Sequence, residues 1–386
     1  MATIVCAPAN AGNPLTAQQY SQATVALRVM ESLNLVTLSN ATLHSDVEGK
    51  VYVGGNLEAN GAPVAIGGSK AQNYNHNPLY RSLTVGGNAS NVQVNNGIGL
   101  SNIQAVVGGN ASGIGINNNG VAAALQVGGN FNAQNFNPNS AKTAKYGGTV
   151  SGLQAQDLPY VTHDNAIKAG GSADLKAGIA TVTSTYQTDL TSFSQILGAL
   201  TPNATLVSSD QNNIHFNFTA DATNGSYAVA DITASQLSSG TFNLPTYATS
   251  ANGKTLIVNV SGSSVAFGAN EIGNGSLVQQ NIIWNFVDAT SIAVNTAVYG
   301  SILAPKATIT GNSPINGSVV AKIFESNGEV HLGTFNGYTG FLVVAPPSGG
   351  TGSVPEPASW MTMLMGFGVI GSLIRGKRRR ERLVAA

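Results

Sequence analysis

The chain has 386 residues, enough for one large all-β domain or two ordinary ones and for a substantial core. Only 9% of its residues are charged, against roughly a quarter in an average soluble protein, and 17 basic residues balance 17 acidic ones. There is thus no net field to draw in nucleic acid or an acidic substrate, and the single cysteine, Cys6, excludes an intrachain disulfide framework and a cysteine-based zinc site.

Residues 1–24 form an N-terminal segment in which no signal peptide is evident: Met1 to Pro14 reads MATIVCAPANAGNP, without Lys, Arg or a sustained apolar stretch. Either the natural start lies upstream of Met1 or export uses another route. The far end of the chain favours the first.

Residues 25–344 read as one repetitive domain. Val-Gly-Gly-Asn recurs at Val53 to Asn56, Val85 to Asn88, Val107 to Asn110 and Val127 to Asn130, with weaker copies at Ile66 to Ser69 and Tyr146 to Thr149. After a first step of 13, the leading glycines are 19 to 22 residues apart, a solenoid period. Before each Gly-Gly stands a short alternating stretch, such as Val51 and Val53 or Leu83 and Val85, whose period of two predicts a strand. Glycine here permits positive φ or a tight corner without a Cβ clash. Asparagine tolerates the left-handed region, and its amide can pair with its copy on the neighbouring coil. Side chains stacked on copies of themselves cannot carry like charges, which accounts for the low charge. The motif lacks both GxGxxG and GxxxxGK[ST], so phosphate binding is disfavoured.

Leu175, Ile179, Val182, Tyr186, Leu190, Phe193 and Leu197 recur at steps of three and four, predicting an amphipathic helix over about 173–200, stopped by Pro202. Its single apolar stripe places it on the flank of the repeats. Alternation returns in longer strands from Ile214 to Val265, and a second repeat pairs Gly300-Ser301-Ile302-Leu303-Ala304 with Gly317-Ser318-Val319-Val320-Ala321.

From Ala345 to Val354 runs a Pro/Gly/Ser linker, and residues 355–382 form a separate tail. Pro355, Glu356 and Pro357 precede an apolar run over residues 358–374, followed by Arg375, Lys377, Arg378, Arg379 and Arg380, with Arg382 beyond. Seventeen helical residues span about 25 Å, slightly less than the roughly 30 Å hydrocarbon core, so this predicts a minimal single membrane helix with its basic end cytoplasmic. The tail resembles the PEP-CTERM sorting signal of Gram-negative bacteria. The resemblance implies recognition by an exosortase-type processing enzyme through Pro355, Glu356 and Pro357, an inner-membrane intermediate, and delivery to the cell surface or an exopolysaccharide matrix.

The body has family character too. Asp46 to Asn56 and Ile282 to Leu332 resemble the choice-of-anchor A domain, with the likeness running from about Leu27 to Phe341. That family is found on several kinds of anchor, and some Gram-positive members are collagen-binding adhesins. The WNF and GSILAP segments are also similar to the β-solenoid of bacterial ice-binding proteins, which carry a helix alongside. The fold class expected is mainly β: a right- or left-handed β-solenoid (β-helix) with one flanking amphipathic α-helix, plus the C-terminal membrane helix.

Catalytic signals are weak. Asp46 and Glu48 share one face of a strand, the arrangement of a carboxylate pair or Ca²⁺ site, yet they read better as a solvated or turn-binding pair. Glu329 and His331 also share a face, while His44, His76, His163 and His215 are scattered without HExxH. Trp284 reads as a core plug, and there is no Gly-x-Ser-x-Gly elbow. No catalytic, cofactor or metal residue is assigned. The expected function is a non-enzymatic exported surface or matrix protein in adhesion or exopolysaccharide and biofilm association. The alternatives are a carbohydrate-active solenoid enzyme with three or more carboxylates in one groove, and an ice or flat-surface binder with rows of Thr-x-Thr. Only Thr308-Ile309-Thr310 and Thr181-Val182-Thr183 approach such rows.

Overall fold

A computed structural model describes residues 14–343 apart from 61–62, 68–79, 96–101, 119, 220–221, 223–225, 245–253 and 273–278. The tail, with Pro355, Glu356, Pro357, the 358–374 span and the cluster from Arg375 to Arg380, lies outside the described residues, as does 1–13. No helix among the described residues is long and apolar enough to cross a membrane.

The domain is mainly β. Short strands on successive turns of chain pair in parallel and in register, and they form three faces. The first face carries the strands before five of the Gly-Gly pairs, with one more strand at each end of the series: Leu35–Thr37, Val51–Val53, Leu83–Val85, Asn102–Val107, Ala122–Val127, Lys142–Tyr146 and Val161–His163 follow one another. The strand before the weaker copy at Ile66 lies on the third face. The second face, beyond the Gly-Gly-Asn corner, runs through Ala41–Leu43, Leu57–Ala59, Ala89–Ser90, Ala111–Ser112, Phe131–Asn132 and Val150–Ser151. Val64–Ile66, Val92–Asn95 and Gly115–Asn117 lie on the third.

Period two gives each strand of the first face an inward and an outward set of side chains. Val51, Val53, Leu83 and Val85 point inward to the apolar column enclosed by the coils, which also holds Phe131, Phe242, Phe267 and Trp284. Trp284 is fully buried, donates from Nε1 to the Tyr299 carbonyl at 2.9 Å, and meets Phe267 edge-on. The outward residues of the first face, among them Val36, Tyr52, Val106, Ile257 and Val320, form a second core beneath the helices.

There are two flanking helices, where the sequence indicates one. Helix α1 spans Ala17–Ser32 and α2 spans Leu175–Gly198, within the 173–200 expected. The capping box of Thr16 and Gln19 starts α1, whose Ala23, Ala26, Leu27 and Met30 are buried. Asp174 caps α2, accepting from Ala177 N at 3.0 Å and Gly170 N at 2.8 Å.

The order of the coils differs from the order of the chain. The first coil lies between the second and the last, since Leu35 pairs with both Val51 and Val319. The chain starts in mid-stack and builds toward Val161–His163. It then crosses back through α2 and builds inward again through Tyr227–Thr233, Thr255–Ser261, Ile282–Asn285, Ser301–Gly311 and Val319–Ser326. An antiparallel hairpin, Ala204–Asp210 with Asn213–Phe218, lies beside Tyr227–Thr233 at that far end. The 24 residues of α2 reach about 36 Å. That matches the roughly 34 Å of seven strand spacings between Asn102–Val107 and Thr255–Ser261.

Asn34 clasps the seam. Fully buried, it donates from Nδ2 to the carbonyls of Gly317 (2.8 Å) and His331 (3.0 Å) in the late coils and accepts from Gly49 N (3.0 Å) in the second. Ser318 adds hydrogen bonds from its hydroxyl to the Met30 and Leu33 carbonyls, so α1 is tied to the same place.

Glu271, in register with Phe242, is the buried acid of the third face, and Tyr299 N donates to its Oε2 at 2.6 Å. Burial holds its carboxyl well above the usual carboxylate range, partly opposed by that hydrogen bond. The folded protein therefore holds a proton that the unfolded chain releases. The contribution is full below the ordinary glutamate value and is lost as pH rises toward the raised folded value. Glu271→Gln is expected to leave stability at pH 4 almost unchanged and to raise it at pH 8, as measured by urea unfolding. A variant less stable than the parent at pH 8 would contradict this.

Candidate adhesion surface

The Gly-Gly-Asn corners create the geometry of the second face. None of the leading glycines of the four Val-Gly-Gly-Asn copies has positive φ, so the left-handed option expected for them is not the one used. Close approach requires them instead. A Cβ at Gly86 would lie 2.2 Å from the Gly54 carbonyl oxygen and 3.2 Å from Ile179. One at Gly108 would lie 2.5 Å from the Gly86 oxygen and 2.8 Å from Lys176 Cα. The glycine row is therefore the seat on which the N-terminal half of α2 rests.

The asparagines bond differently from the amide pairing expected. Each Oδ1 accepts from the backbone N–H of the equivalent residue one coil on: Asn40 from Asn56 (2.9 Å), Asn56 from Asn88, Asn88 from Asn110 and Asn110 from Asn130 (each 2.8 Å). The ladder satisfies the corner's donors and leaves an exposed amide at every step. It forms one margin of the second face.

The outward positions of that face stand four residues after each leading glycine. They are Glu58, Ser90, Ser112, Asn132 and Ser151, continuing through Thr42 and Glu325 to Thr310, Ala293 and Ala266 of the late coils. A second column holds Ser264, Ser291 and Thr308. At about 4.8 Å per coil this is a flat, neutral, hydroxyl- and amide-bearing surface backed by a packed core, with Glu58 and Glu325 as its charged members. The repeat spacing marks these positions in the sequence. It does not tell which of two alternating sets faces out.

The acidic residues are occupied by structure. Asp46 Oδ1 accepts from Ala65 N at 2.8 Å and Glu48 Oε2 from Leu332 N at 2.9 Å, as turn-binding carboxylates. Glu329 pairs with His331 at 2.7 Å, and His331 also meets Asn316 Oδ1 at 3.0 Å. Among the described residues no group of three or more His, Cys, Asp or Glu is placed to hold a metal ion.

The family described as "Putative Ice-binding-like adhesive domain" matches residues 26–124 and 105–332, together most of the chain. The chain belongs to this family. In this adhesive domain protein the PEP-CTERM protein-sorting motif matches residues 353–380, covering Pro355, Glu356, Pro357 and the basic cluster from Arg375 to Arg380. Adhesive domain and sorting motif together make it an exported, non-enzymatic surface protein. Two solved structures are similar to the adhesive domain protein. An ice-binding protein from the Antarctic ascomycete Antarctomyces psychrotrophicus is 14% identical over 54% of this chain and 92% of that one, with a TM-score of 0.21. An ice-binding protein from an Antarctic bacterium of the Flavobacteriaceae is 12% identical over 84% and 99%, with a TM-score of 0.22. No curated protein matches the chain.

Proposed function

We propose that the protein is a tethered adhesin or matrix component whose β-solenoid presents its flat second face to an exopolysaccharide or other matrix surface. The observation that carries this reading is the run of small neutral outward side chains, Ser90, Ser112, Asn132 and Ser151, held in register over a packed core, with Glu58 and then Thr42 next in the column. A rigid array of weak hydrogen-bonding groups binds an extended surface by repetition, with little ordering cost at each contact. In this reading an exosortase-type enzyme recognises Pro355, Glu356 and Pro357. Residues 358–374 hold the chain in the inner membrane, basic cluster inward, until it passes to the surface. The likeness to choice-of-anchor A proteins fits a domain used on exchangeable anchors.

The test is cell fractionation with a matrix-retention assay. The parent is expected at the surface and in the matrix, and Pro355→Ala with Pro357→Ala is expected to accumulate unprocessed in the membrane fraction. Ser112→Lys with Ser151→Lys should reach the surface but lose most matrix retention. Full retention by that variant would remove the second face from the function.

An ice-binding reading has one local observation in its favour, the Thr308 and Thr310 pair beside Ser291 on the same face. Glu325 and Glu58 interrupt the column, and a lattice of neutral water sites has no counterpart for fixed carboxylates. Thermal hysteresis distinguishes the two readings, and adhesion predicts none above the buffer.

A further inference from the structure

The first face is covered unevenly. Helix α1 ends at Ser32, and the N-terminal half of α2 continues over the glycine row, leaving a notch of about 430 Å³ beside that half of α2. Its lining includes Tyr52, Thr84 and Val106 from the sheet, Ile179, Val182 and Tyr186 from α2, and Leu33, Tyr80 and Arg81 at its margins. This volume is typical of small-ligand sites.

The tyrosines are fixed. Tyr52 hydroxyl bonds the Ile179 carbonyl (3.1 Å) and Thr183 Oγ1 (2.8 Å), and burial pushes its pKa up to about 12. Its ring meets that of Tyr186 at 4.9 Å, and Tyr80 lines the same notch. These rings offer a preorganised amphipathic surface.

Charge selects the occupant. Six of the chain's 17 lysines and arginines lie in the tail, which leaves eleven for the domain against fifteen acidic residues. Four of those eleven gather here. Arg81 lines the notch, Lys50 Nζ donates to the Tyr80 carbonyl at 2.9 Å, Arg28 lies near Tyr80, and Lys176 is the chain neighbour of the lining residue Leu175. The facing acids are Glu31 and Asp174, and both Asp174 oxygens already accept backbone N–H groups. Arg81 is exposed and makes no ion pair among the described residues.

We infer that this notch binds a carboxylate-bearing sugar of an acidic glycan, with the pyranose ring against the tyrosines and the carboxylate on the Arg81 guanidinium. A guanidinium pairs with a carboxylate through two parallel hydrogen bonds, and a local cationic surplus in a net acidic domain attracts an anion. This deepens the matrix reading and rests on it for the polysaccharide class.

The experiment is calorimetric titration of the full chain in detergent with a galacturonic acid trimer, a neutral galactose trimer and a pentaglutamate peptide. The acidic trimer is expected to bind, more weakly at 0.5 M than at 0.05 M salt. Arg81→Ala should weaken it at least about tenfold, Arg81→Lys less, and Thr84→Trp should abolish it by filling the floor, with circular dichroism unchanged. Absence of binding, or binding unaffected by both Arg81→Ala and Thr84→Trp, overturns the assignment. Equal binding of pentaglutamate overturns the sugar, and equal binding of the neutral trimer overturns the role of Arg81. Protease accessibility on intact cells separates the two proposals: a parent chain that never reaches the surface defeats the matrix reading while the titration still stands or falls alone.

Discussion

Asn34→Ala is expected to lower the unfolding free energy by about 3–5 kcal/mol, measured by urea denaturation. The substitution leaves three backbone groups, the Gly317 and His331 carbonyls and the Gly49 N–H, without their partner in a buried seam. Each buried polar group left unsatisfied costs about 1–3 kcal/mol. Asn34→Asp should be at least as damaging, because it replaces the donor to the two carbonyls with a carboxylate oxygen. Hydrogen exchange should quicken first in Leu35–Thr37 and Val319–Ser326, the strands that meet across the seam. A loss below about 1 kcal/mol would mean that the apolar contacts of Leu35 and Val319 hold the seam without the clasp.

Gly108→Ala is the second large effect, an expected loss of about 2–4 kcal/mol in the same measurement. The added methyl meets backbone on both sides, the Gly86 oxygen at 2.5 Å and Lys176 Cα at 2.8 Å, so neither neighbour can move away by changing rotamer. Either the coils part or α2 lifts from its seat. Gly178→Ala is the control, because a Cβ there has nothing within 4 Å. It should be neutral or stabilising by up to about 1 kcal/mol through helix propensity. Similar losses in both variants would show that chain flexibility, not close approach, sets the requirement at the glycine row.

The coil period, the strands before Gly-Gly and helix α2 were legible because each rests on local spacing. Helix α1 had a usable signal in Thr16-x-x-Gln19 ahead of Ala23, Ala26, Leu27 and Met30. Its buried stripe mixes Ala23, Ala26 and Ser32 with Leu27, Val29 and Met30, so its apolar periodicity is faint. The glycine rule was half legible: the sequence offered positive φ or close packing, and only the position of α2 decides between them. The notch was illegible, since Tyr52, Tyr80 and Tyr186 come from distant parts of the chain and meet only after α2 has crossed back.

The repeats of Val-Gly-Gly-Asn and of Gly-Ser-Ile-Leu-Ala determine by themselves that this chain coils into stacked parallel strands, and the motif around Pro355 to Pro357 marks the tail as a sorting signal. Local periodicity specifies what one coil looks like but not which coil stacks on which, because every coil offers its neighbour the same backbone edge. The tertiary structure decides that the last coil closes on the first, through a clasp whose partners, Asn34 and Gly317, are 283 residues apart. It also decides, by ending α1 at Ser32 beside the N-terminal half of α2, where the outer face of the sheet stays open to a ligand.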